Sequence, residues 1–430
     1  MTRIATADPI GPPAGARVVL DVRPLQERER APITAAYLER LLAAFARDPI
    51  DGESFVVLLR ALREDPTLEL ERAGLVVAAR RRLPPTARVF RNAGLTVDSF
   101  LLRGAALHTT SGAREGGAVG ALYHTAGGAV PLFSGLPIVA TLLDLAPWEL
   151  PERYAATTAA RFGHRLRART LRDAARVIVS SRATADAAKR LLGIPAEHLS
   201  VVPLAADPAF RPDAGDPDQM AALRARFDLP ARYFVFSGRY DARKDFATLF
   251  EALAALRDQS SSAATGLGWP PVIVLAGASG DENADSPVVA RAARKAGVAD
   301  LIRLTPRLDP TELAVLQHGA VANVQPALSD GTGLAAIEAL AVGIPVVCTR
   351  VGALAEVVGA AGIIVEPHDA AHLATALRAI WEGGAVARQV TKRARDRANG
   401  PRRTWDDVAH ETRDVYASVA GAPSPTGSPA

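Results

Sequence analysis

The chain has 430 residues, of which 49% are hydrophobic and 22% charged, and its formal net charge is +4 at pH 7. This length predicts two or three domains with sizeable cores. There is no run of about 18 uncharged apolar residues that would mark a membrane span, residues 1–16 lack the features of a signal peptide, and Cys348 is the only cysteine. We therefore expect a soluble, cytoplasmic protein without disulfide bonds.

Short β-branched runs alternate with Ala- and Leu-rich helical stretches along almost the whole chain, which is typical of parallel sheets with helical crossovers. The strands predicted in the first half are 17–22, 54–60, 119–124, 136–144, 175–181 and 198–205. Those predicted in the second half are 233–238, 271–277, 301–306, 320–326, 344–349 and 361–367. The pattern therefore predicts an α/β fold with two doubly wound domains.

Basic residues cluster only in the segment 161–176, which predicts a helix, although the isoelectric point is near 9.4. The six arginines of this segment are Arg161, Arg165, Arg167, Arg169, Arg172 and Arg176. Their spacing predicts that they surround much of the helix, as on a solvated face. The alternative is attraction to a charged acceptor or to the anionic lipid headgroups of a membrane surface. The weak overall charge does not indicate nucleic-acid binding.

Pro, Asp and Gly accumulate in residues 207–219, where no periodicity survives, and this predicts the joint between the domains. The joint contains Asp216-Pro217-Asp218, a D-x-D of the kind that can hold a metal with a nucleotide. Because a proline separates the two acids, we interpret this tripeptide as part of a solvated loop.

The joint places an N-terminal domain at residues 1–208 and a C-terminal domain at 209–404. Two further segments are rich in Ser, Gly and Pro. Residues 258–271 predict a surface insertion, and 421–430 predict a disordered tail.

Two cations follow the predicted strand 233–238. Gly238 lets the chain turn, and Arg239 and Lys244 bracket a short loop before the next predicted helix. Ligands of open parallel sheets bind beyond the carboxyl ends of the strands. An arginine fork beside a lysine point charge suits an anion, so this loop predicts a phosphate site.

The stretch SDGTGLAAIEALAVGIPV, residues 329–346, predicts a glycine-rich turn and a helix that Gly343 can end. Successive amides at the start of this helix would donate to an anion that the helix dipole also favours. These amides belong to Gly331, Thr332, Gly333 and Leu334. The turn therefore predicts the second half of a diphosphate clamp.

Glu338 is the only charged residue of this helix and lies at the edge of its apolar stripe. Burying an unpaired carboxylate is costly, so Glu338 should meet a hydrogen-bond donor or line a cavity. One interpretation is a structural glutamate that caps a backbone amide. The other is a ligand, since the two adjacent hydroxyls of a ribose suit a carboxylate.

These motifs resemble the retaining GT-B glycosyltransferases of glycosyltransferase family 4, especially its mannosyltransferase-like members. GRYDARKDFATLFEAL is similar to the family's G-R-x-x-x-x-K loop, and SDGTGLAAIEALAVGIPVV resembles its E-x7-E segment. RRTWDDVAHETRDVY resembles the final helices. The resemblance extends over roughly residues 17–420 and is most specific in 233–369. It implies two Rossmann-like domains facing across a cleft, with the last helix, 405–420, packing back on the N-terminal domain.

The resemblance also implies roles for individual residues. Arg239 and Lys244 would bind the donor diphosphate and stabilise the departing nucleotide, and Glu338 would bind the ribose. Asp330 would approach the donor sugar beside the amides of residues 331–334. No metal or cofactor is implied. The donor would be a GDP- or UDP-linked sugar such as mannose or glucose, transferred with retention to a saccharide or a lipid-linked acceptor.

This chain departs from the family pattern at three places on the sugar side. Asp330 stands where the family has a longer glutamate, and Leu143, just before Asp144, replaces the histidine of its T-I-H-D-L strand end. The loop after the first strand lacks glycine and contains Pro32. His124 and Asp144 are candidates for the sugar or acceptor side; a hydrogen-bonded His124 at the cleft edge is the alternative.

The main hypothesis is therefore a retaining, metal-independent hexosyltransferase. The departures motivate a second one, a non-catalytic GT-B protein that binds a nucleotide or a partner glycosyltransferase. A nucleotide-sugar epimerase of the same architecture would carry different signatures. The sequence contains no H-E-x-x-H, Walker loop, G-x-S-x-G elbow or paired C-x-x-C.

Overall fold

The computed structural model describes residues 15–84, 98–99, 102, 120–132, 134–241, 243–259, 268–277 and 286–420, except the side chain of Ser286. The predicted tail 421–430 and residues 260–267 of the predicted insertion lie outside these ranges. Within them the chain forms two parallel sheets flanked by helices.

The first sheet has seven strands in the order β3-β2-β1-β4-β5-β6-β7. Their bounds are β1 Arg17–Asp21, β2 Ser54–Arg60, β3 Val77–Leu83, β4 Ala121–Ala126, β5 Ile138–Thr141, β6 Arg176–Val179 and β7 Leu199–Val201. All neighbouring strands pair in parallel. The chain winds one way from β1 to β3 and the other way from β4, so the strand order reverses between β1 and β4.

The second sheet has six strands in the order β10-β9-β8-β11-β12-β13. Their bounds are β8 Phe234–Ser237, β9 Ile273–Ala276, β10 Ile302–Thr305, β11 Asn323–Gln325, β12 Val346–Thr349 and β13 Gly362–Val365. These strands also pair in parallel. Here the order reverses between β8 and β11.

The helices of the first half are α1 Pro32–Arg47, α2 Leu68–Arg72, α3 Ala146–Glu149, α4 Pro151–Tyr154, α5 Thr158–Arg172 and α6 Arg182–Leu192. Those of the second half are α7 Pro217–Phe227, α8 Phe246–Asp258, α9 Ser286–Lys295, α10 Pro310–His318, α11 Leu334–Ala341, α12 Leu354–Val358, α13 Ala370–Glu382, α14 Ala385–Asn399 and α15 Trp405–Ala420. Most are amphipathic crossovers that cover the faces of the sheets.

The last helix, α15, returns to the first sheet. Trp405, Val408, Tyr416 and Val419 pack into the core that α1 builds with β1 and β2. Arg413 of α15 donates from Nε and Nη2 to the carboxylate of Glu53, at 2.9 and 2.7 Å, and this ion pair is buried. The helix is thus fixed to the first sheet by apolar packing and by a buried ion pair.

The chain therefore passes between the two sheets twice, once after β7 and once before α15. The two passages lie side by side, because Nε of Arg403 donates to the backbone oxygen of Pro203 at 2.7 Å. Arg402 donates to the backbone oxygen of Phe210 at 3.4 Å.

All twelve predicted strands are present, mostly one to three residues shorter at each end, and β3 was missed. Its sequence, VAARRRL, has the Ala and Arg content of a helix. Its polar side chains are accommodated because β3 is at the edge of the sheet, where Arg80 pairs with Asp65 and Glu71.

The interpretation of Asp216-Pro217-Asp218 as loop was wrong. Asp216 is the N-cap of α7 and accepts from the amides of Asp218 and Gln219 at 3.0 and 2.9 Å. Pro217 is the first residue of the helix, where its missing N–H costs nothing. The two acids serve a helix start.

Candidate active site

Two loops meet where the strand order of the second sheet reverses. β8 and β11 are neighbours, so the segments that follow them, 238–241 with 243–245 and 326–333, leave the same edge of the sheet side by side. The amide of Asp245 donates to Pro326 O and that of Leu328 to Arg243 O, both at 2.7 Å. The two motifs that the sequence analysis singled out therefore form one surface.

Lys244 and Asp330 form an ion pair at the centre of this surface. Nζ of Lys244 lies 3.2 Å from Oδ2 of Asp330, and both side chains are largely buried. Burial works against ionisation of Asp330, but Lys244 and the amides of Gly333 and Thr332 outweigh it, so the pKa of this carboxyl is below its ordinary value. Asp330 is therefore a carboxylate at neutral pH.

Three of the four amides that were predicted to bind an anion at the start of α11, those of Thr332, Gly333 and Leu334, are already engaged within the chain. Oδ1 of Asp330 accepts from Thr332 N at 3.1 Å and from Gly333 N at 2.8 Å, and Leu334 N reaches the hydroxyl of Thr332 at 3.4 Å. Aspartate forms this local turn readily because its side chain is short. Gly333, at a φ of 64°, then starts the helix.

Glu338 is buried on α11, and its partner comes from the first half of the chain. Nη2 of Arg40, on α1, lies 3.3 Å from Oε1 of Glu338, and Nε of the same arginine lies 3.0 Å from Asp207. Burial raises the pKa of Glu338 to about 7, Arg40 opposes this, and Asp207 adds to it. The expected donor to Glu338 is therefore a side chain of α1, and no backbone amide of the described residues fills that role.

Two arginines of the first loop cross the cleft. Nη1 of the exposed Arg239 donates to the backbone oxygen of Glu29 at 2.7 Å. Arg243, which the sequence analysis missed, lies 2.7 Å from Asp241 and 3.3 Å from Asp144 at the opposite edge. Its position one residue before Lys244 is the only sequence signal for it.

Gly331 touches the first half of the chain directly. Ser180 and Thr184 donate their hydroxyls to its backbone oxygen. A Cβ on Gly331 would lie 2.3 Å from the backbone oxygen of Leu143, so only glycine fits here. The side chain of Leu143, at the position of the family histidine, is buried in the core of the first sheet and does not face this contact.

His124 is the predicted site residue that the structure does not bring to the cleft. It is fully buried in β4, its Nε2 is 2.9 Å from the hydroxyl of Thr141, and its Nδ1 is 2.7 Å from that of Tyr416. Burial lowers its pKa to about 3, so the ring is neutral. His124 therefore connects α15 to the sheet, and the proposed contact with a sugar or an acceptor was wrong.

The basic segment 161–176 contains α5, and its arginines do not surround the helix evenly. At about 100° per residue, the exposed side chains of Arg161, Arg165, Arg169 and Arg172 lie within one stripe. Arg167 points the other way and is 7% exposed. The expectation of a solvated face is wrong for Arg167.

Within the described ranges, no group of three or more His, Cys, Asp or Glu side chains is placed to hold a metal ion. No helix among the described residues is both long and apolar enough to cross a membrane.

The chain is similar in sequence to known glycosyltransferases and similar in fold to solved structures. A D-inositol 3-phosphate glycosyltransferase of Streptomyces avermitilis is 33% identical over 219 residues, which is 50% of this chain and 45% of that protein. The chain thus matches about half the length of such relatives. Sucrose-phosphate synthase from Thermosynechococcus elongatus has a similar structure, with a TM-score of 0.69, 21% identity, and coverage of 94% of this chain and 98% of that one.

Anabaena HepE in complex with UDP and glucose is also similar in structure, with a TM-score of 0.65 and 16% identity, over 94% of this chain and all of that chain. Two family models match the sequence itself. Glycosyltransferase Family 4 matches residues 118–210, and Glycosyl transferases group 1 matches 224–397. Since these segments together make up well over half of the chain and the two sheets form the GT-B fold, the chain belongs to the family 4 GT-B glycosyltransferases.

Proposed function

We propose that the protein is a retaining, metal-independent glycosyltransferase that moves a hexosyl group from a nucleotide-diphosphate sugar to an acceptor hydroxyl. The observation that carries the proposal is the junction of the two loops at the reversal point of the second sheet. There three cationic side chains, Lys244, Arg239 and Arg243, lie beside the start of α11, and the two buried ones are paired with aspartates that a donor phosphate could replace. A nucleotide diphosphate needs such cations, above all as its charge grows when the glycosidic bond breaks.

Each residue then has a distinct task. Lys244 is held rigidly by Asp330 and would face the phosphate nearest the sugar, while Arg239 is exposed and can turn from Glu29 to the donor. Asp330, which is ionised, would accept a hydrogen bond from a hydroxyl of the donor sugar. Glu338 would exchange Arg40 for the ribose hydroxyls. Donor binding therefore requires that contacts across the cleft be released.

Names of relatives guide the choice of substrates. The Anabaena structure that resembles this one contains UDP and glucose, which supports UDP-linked glucose beside a GDP-linked mannose as donors to test. Curated relatives are named for D-inositol 3-phosphate, which supports an inositol phosphate among the saccharide and lipid-linked acceptors.

The arginine stripe of α5 supports peripheral contact with an anionic membrane surface. Phe162 is 57% exposed beside Arg161, Arg165 and Arg169. An aromatic ring flanked by cations suits the headgroup region, where the cations meet anionic lipid.

The test is glycosyl transfer by the purified full chain with UDP- and GDP-sugars and a panel of saccharide, inositol phosphate and lipid-linked acceptors. We expect turnover of at least one donor and loss of turnover in Lys244→Ala and Glu338→Ala. The anomeric configuration of the product, read by NMR, tests retention, and activity in excess chelator tests metal independence. Failure to transfer or hydrolyse any donor would reject the proposal.

The second candidate, a non-catalytic GT-B protein, is favoured by one observation. Glu338, Arg239 and Arg243 are all engaged by groups of the opposite half of the chain. If UDP or GDP raises the melting temperature while no donor is consumed, this candidate replaces the first.

A further inference from the structure

Arg167 is a buried arginine whose guanidinium makes no hydrogen bond or ion pair within the described part of the chain. Its side chain is 7% exposed and its Nε is enclosed without a partner. The guanidinium carbon lies 5.4 Å from the centre of the Trp148 ring, a cation–π contact. Because only Nε is fully enclosed, the two terminal nitrogens keep some access to solvent.

Two other buried arginines that lie against the first sheet are paired with carboxylates. Arg23 binds Asp21 at 2.8 Å and Asp98 at 3.2 Å, and Arg413 binds Glu53 at 2.7 Å. Burying a cation without a carboxylate is costly, since the lost hydration is not replaced. Among the residues that the structure describes, Arg167 thus has no acidic partner that explains its burial.

Asp144, whose charge acts on Arg167, forms no ion pair with it within the described residues. Asp144 follows β5 and is the only carboxylate that opposes the lowering of the Arg167 pKa by burial. Its Oδ1 accepts from the amide of Ala146 at 2.8 Å, and its Oδ2 is 3.3 Å from Arg243. Both oxygens are therefore already bound.

A second polar atom next to Arg167 is also unused. His164 lies one turn earlier on the same face of α5, and its Nδ1 is enclosed without a hydrogen bond. Its ring packs edge-on against Trp148, with centroids 5.9 Å apart. Burial lowers the pKa of His164, while a hydrogen bond with the backbone of Tyr154 opposes this. An anion beside the ring would favour a second proton on the ring, at Nδ1, which could then donate to that anion.

We propose that Arg167 and His164, held by Trp148, form an oxyanion subsite for a phosphate or carboxylate group on the acceptor. The subsite lies beside Asp144, beyond the carboxyl end of β5, on the opposite edge of the cleft from Lys244 and Asp330. A planar guanidinium with unused donors fits two oxygens of such a group. The anion supplies the charge that the protein does not. This assignment to the acceptor rests on the proposed glycosyltransferase function.

The first experiment measures binding without relying on activity. The melting temperature of the full chain is followed in inorganic phosphate, at ionic strength matched with chloride, for wild type, Arg167→Met, Arg169→Met and Lys244→Ala. Arg169 is the matched control, because it is exposed on the same helix. We expect phosphate to raise the melting temperature of Arg167→Met clearly less than that of the other three forms, because the donor loops of Arg167→Met can still bind phosphate.

The first experiment has two adverse outcomes. An equal rise in Arg167→Met, or no rise in wild type, overturns the subsite. A rise that is lost in Lys244→Ala and kept in Arg167→Met places phosphate at the donor loops and equally overturns it. In the absence of phosphate, Arg167→Met should melt at or above the wild-type temperature, because the substitution removes an unpaired buried charge; this also guards against a variant that merely fails to fold.

The second experiment measures acceptor choice. Rates of transfer to myo-inositol 1-phosphate, glucuronate and myo-inositol are compared as kcat/KM. We expect wild type and Arg169→Met to prefer the anionic acceptors. We expect Arg167→Met to lose that preference at least tenfold, with Arg167→Lys intermediate because lysine keeps the charge without the fork. An equal loss on all three acceptors overturns the subsite, whereas absence of any transfer by wild type rejects the glycosyltransferase function and leaves the phosphate titration to decide.

Discussion

The two edges of the cleft handle their charged side chains differently. On the edge of the second sheet, Lys244 is paired with Asp330, and that carboxylate also closes the turn before α11. On the edge of the first sheet, Arg167 is buried and has no ion-pair partner in the described part of the chain. The first arrangement is complete in itself and must be opened or shared when a ligand binds. The second arrangement lacks an anion. This difference indicates that the edge with Arg167 is the one where an anionic ligand would complete the charge balance.

Arg413 and Arg167 give the most direct test of this comparison, since both are buried arginines on helices that pack against the first sheet. Arg413→Met leaves Glu53 buried without a partner, so we expect a loss of about 3–5 kcal/mol in the free energy of unfolding. Denaturant titration measures it.

The control is Lys392→Met in the exposed pair with Asp396, for which we expect less than about 0.5 kcal/mol. If Arg413→Met and Arg167→Met destabilise the chain equally, the distinction between a structural and a ligand-binding arginine fails.

Lys244→Ala should lower the rate of sugar transfer by about 100- to 1000-fold, because the cation that faces the leaving nucleotide is lost. Single-turnover rates measure this apart from binding. Lys295→Ala is the matched control, since that lysine is exposed on α9. A Lys244→Ala enzyme with near wild-type rates would remove the donor loops from the mechanism.

Glu338→Gln tests the pH dependence of the second edge. Burial raises the pKa of Glu338 to about 7. Between the ordinary pKa of a glutamate and pH 7, the carboxyl is therefore protonated in the folded chain and ionised in the unfolded chain. The stability that this proton provides is present at acid pH and is lost as pH rises through about 7. The glutamine variant lacks this loss.

Between pH 5 and pH 8, the free energy of unfolding of wild type should therefore fall by about 1–3 kcal/mol relative to that of Glu338→Gln. Urea titrations at several pH values give the difference. Parallel curves for the two proteins would show that Glu338 titrates normally in the folded chain.

Arg40→Ala should have the smallest effect of these variants. Unlike Lys244→Ala, which weakens function, it should strengthen nucleotide binding. It frees Glu338 from α1, so we expect UDP or GDP to bind about 2- to 5-fold more tightly, because less of the chain is held in a state without room for the ribose. Calorimetry measures the affinity. Arg47→Ala, in an exposed pair at the end of the same helix, is the control. Weaker binding in Arg40→Ala would instead make Arg40 a contact of the nucleotide.

Features that depend on local pattern were predictable from sequence. β-branched runs gave twelve strands, and the strand ends placed Arg239, Lys244 and Asp330 together at the reversal point. The strand β3 was missed because an edge strand tolerates arginines, which a central strand would not.

Features that depend on how the two halves pack were not predictable. Arg40 pairs with Glu338 and Arg243 pairs with Asp144, and both partners are far away in the sequence. Sequence periodicity does not indicate such distant pairs. The inward direction of Arg167 was missed because the face of α5 that packs is set by the sheet beneath it. The turn that Asp330 closes was also missed. Its hydrogen bonds to the amides of Thr332 and Gly333 form because the aspartate side chain is one methylene shorter than that of the family's glutamate.

The side-by-side passages near Pro203 and Arg403 are placed so that they could serve as one hinge. Two connections far apart would resist rotation, whereas adjacent ones define a single short axis about which one half can turn on the other. Contacts near that axis move little, and those at the far rim of the cleft move most. Opening should therefore part contacts such as Arg239 with Glu29 or Arg243 with Asp144 in the order of their distance from the axis, so the cleft would unzip from its rim inward.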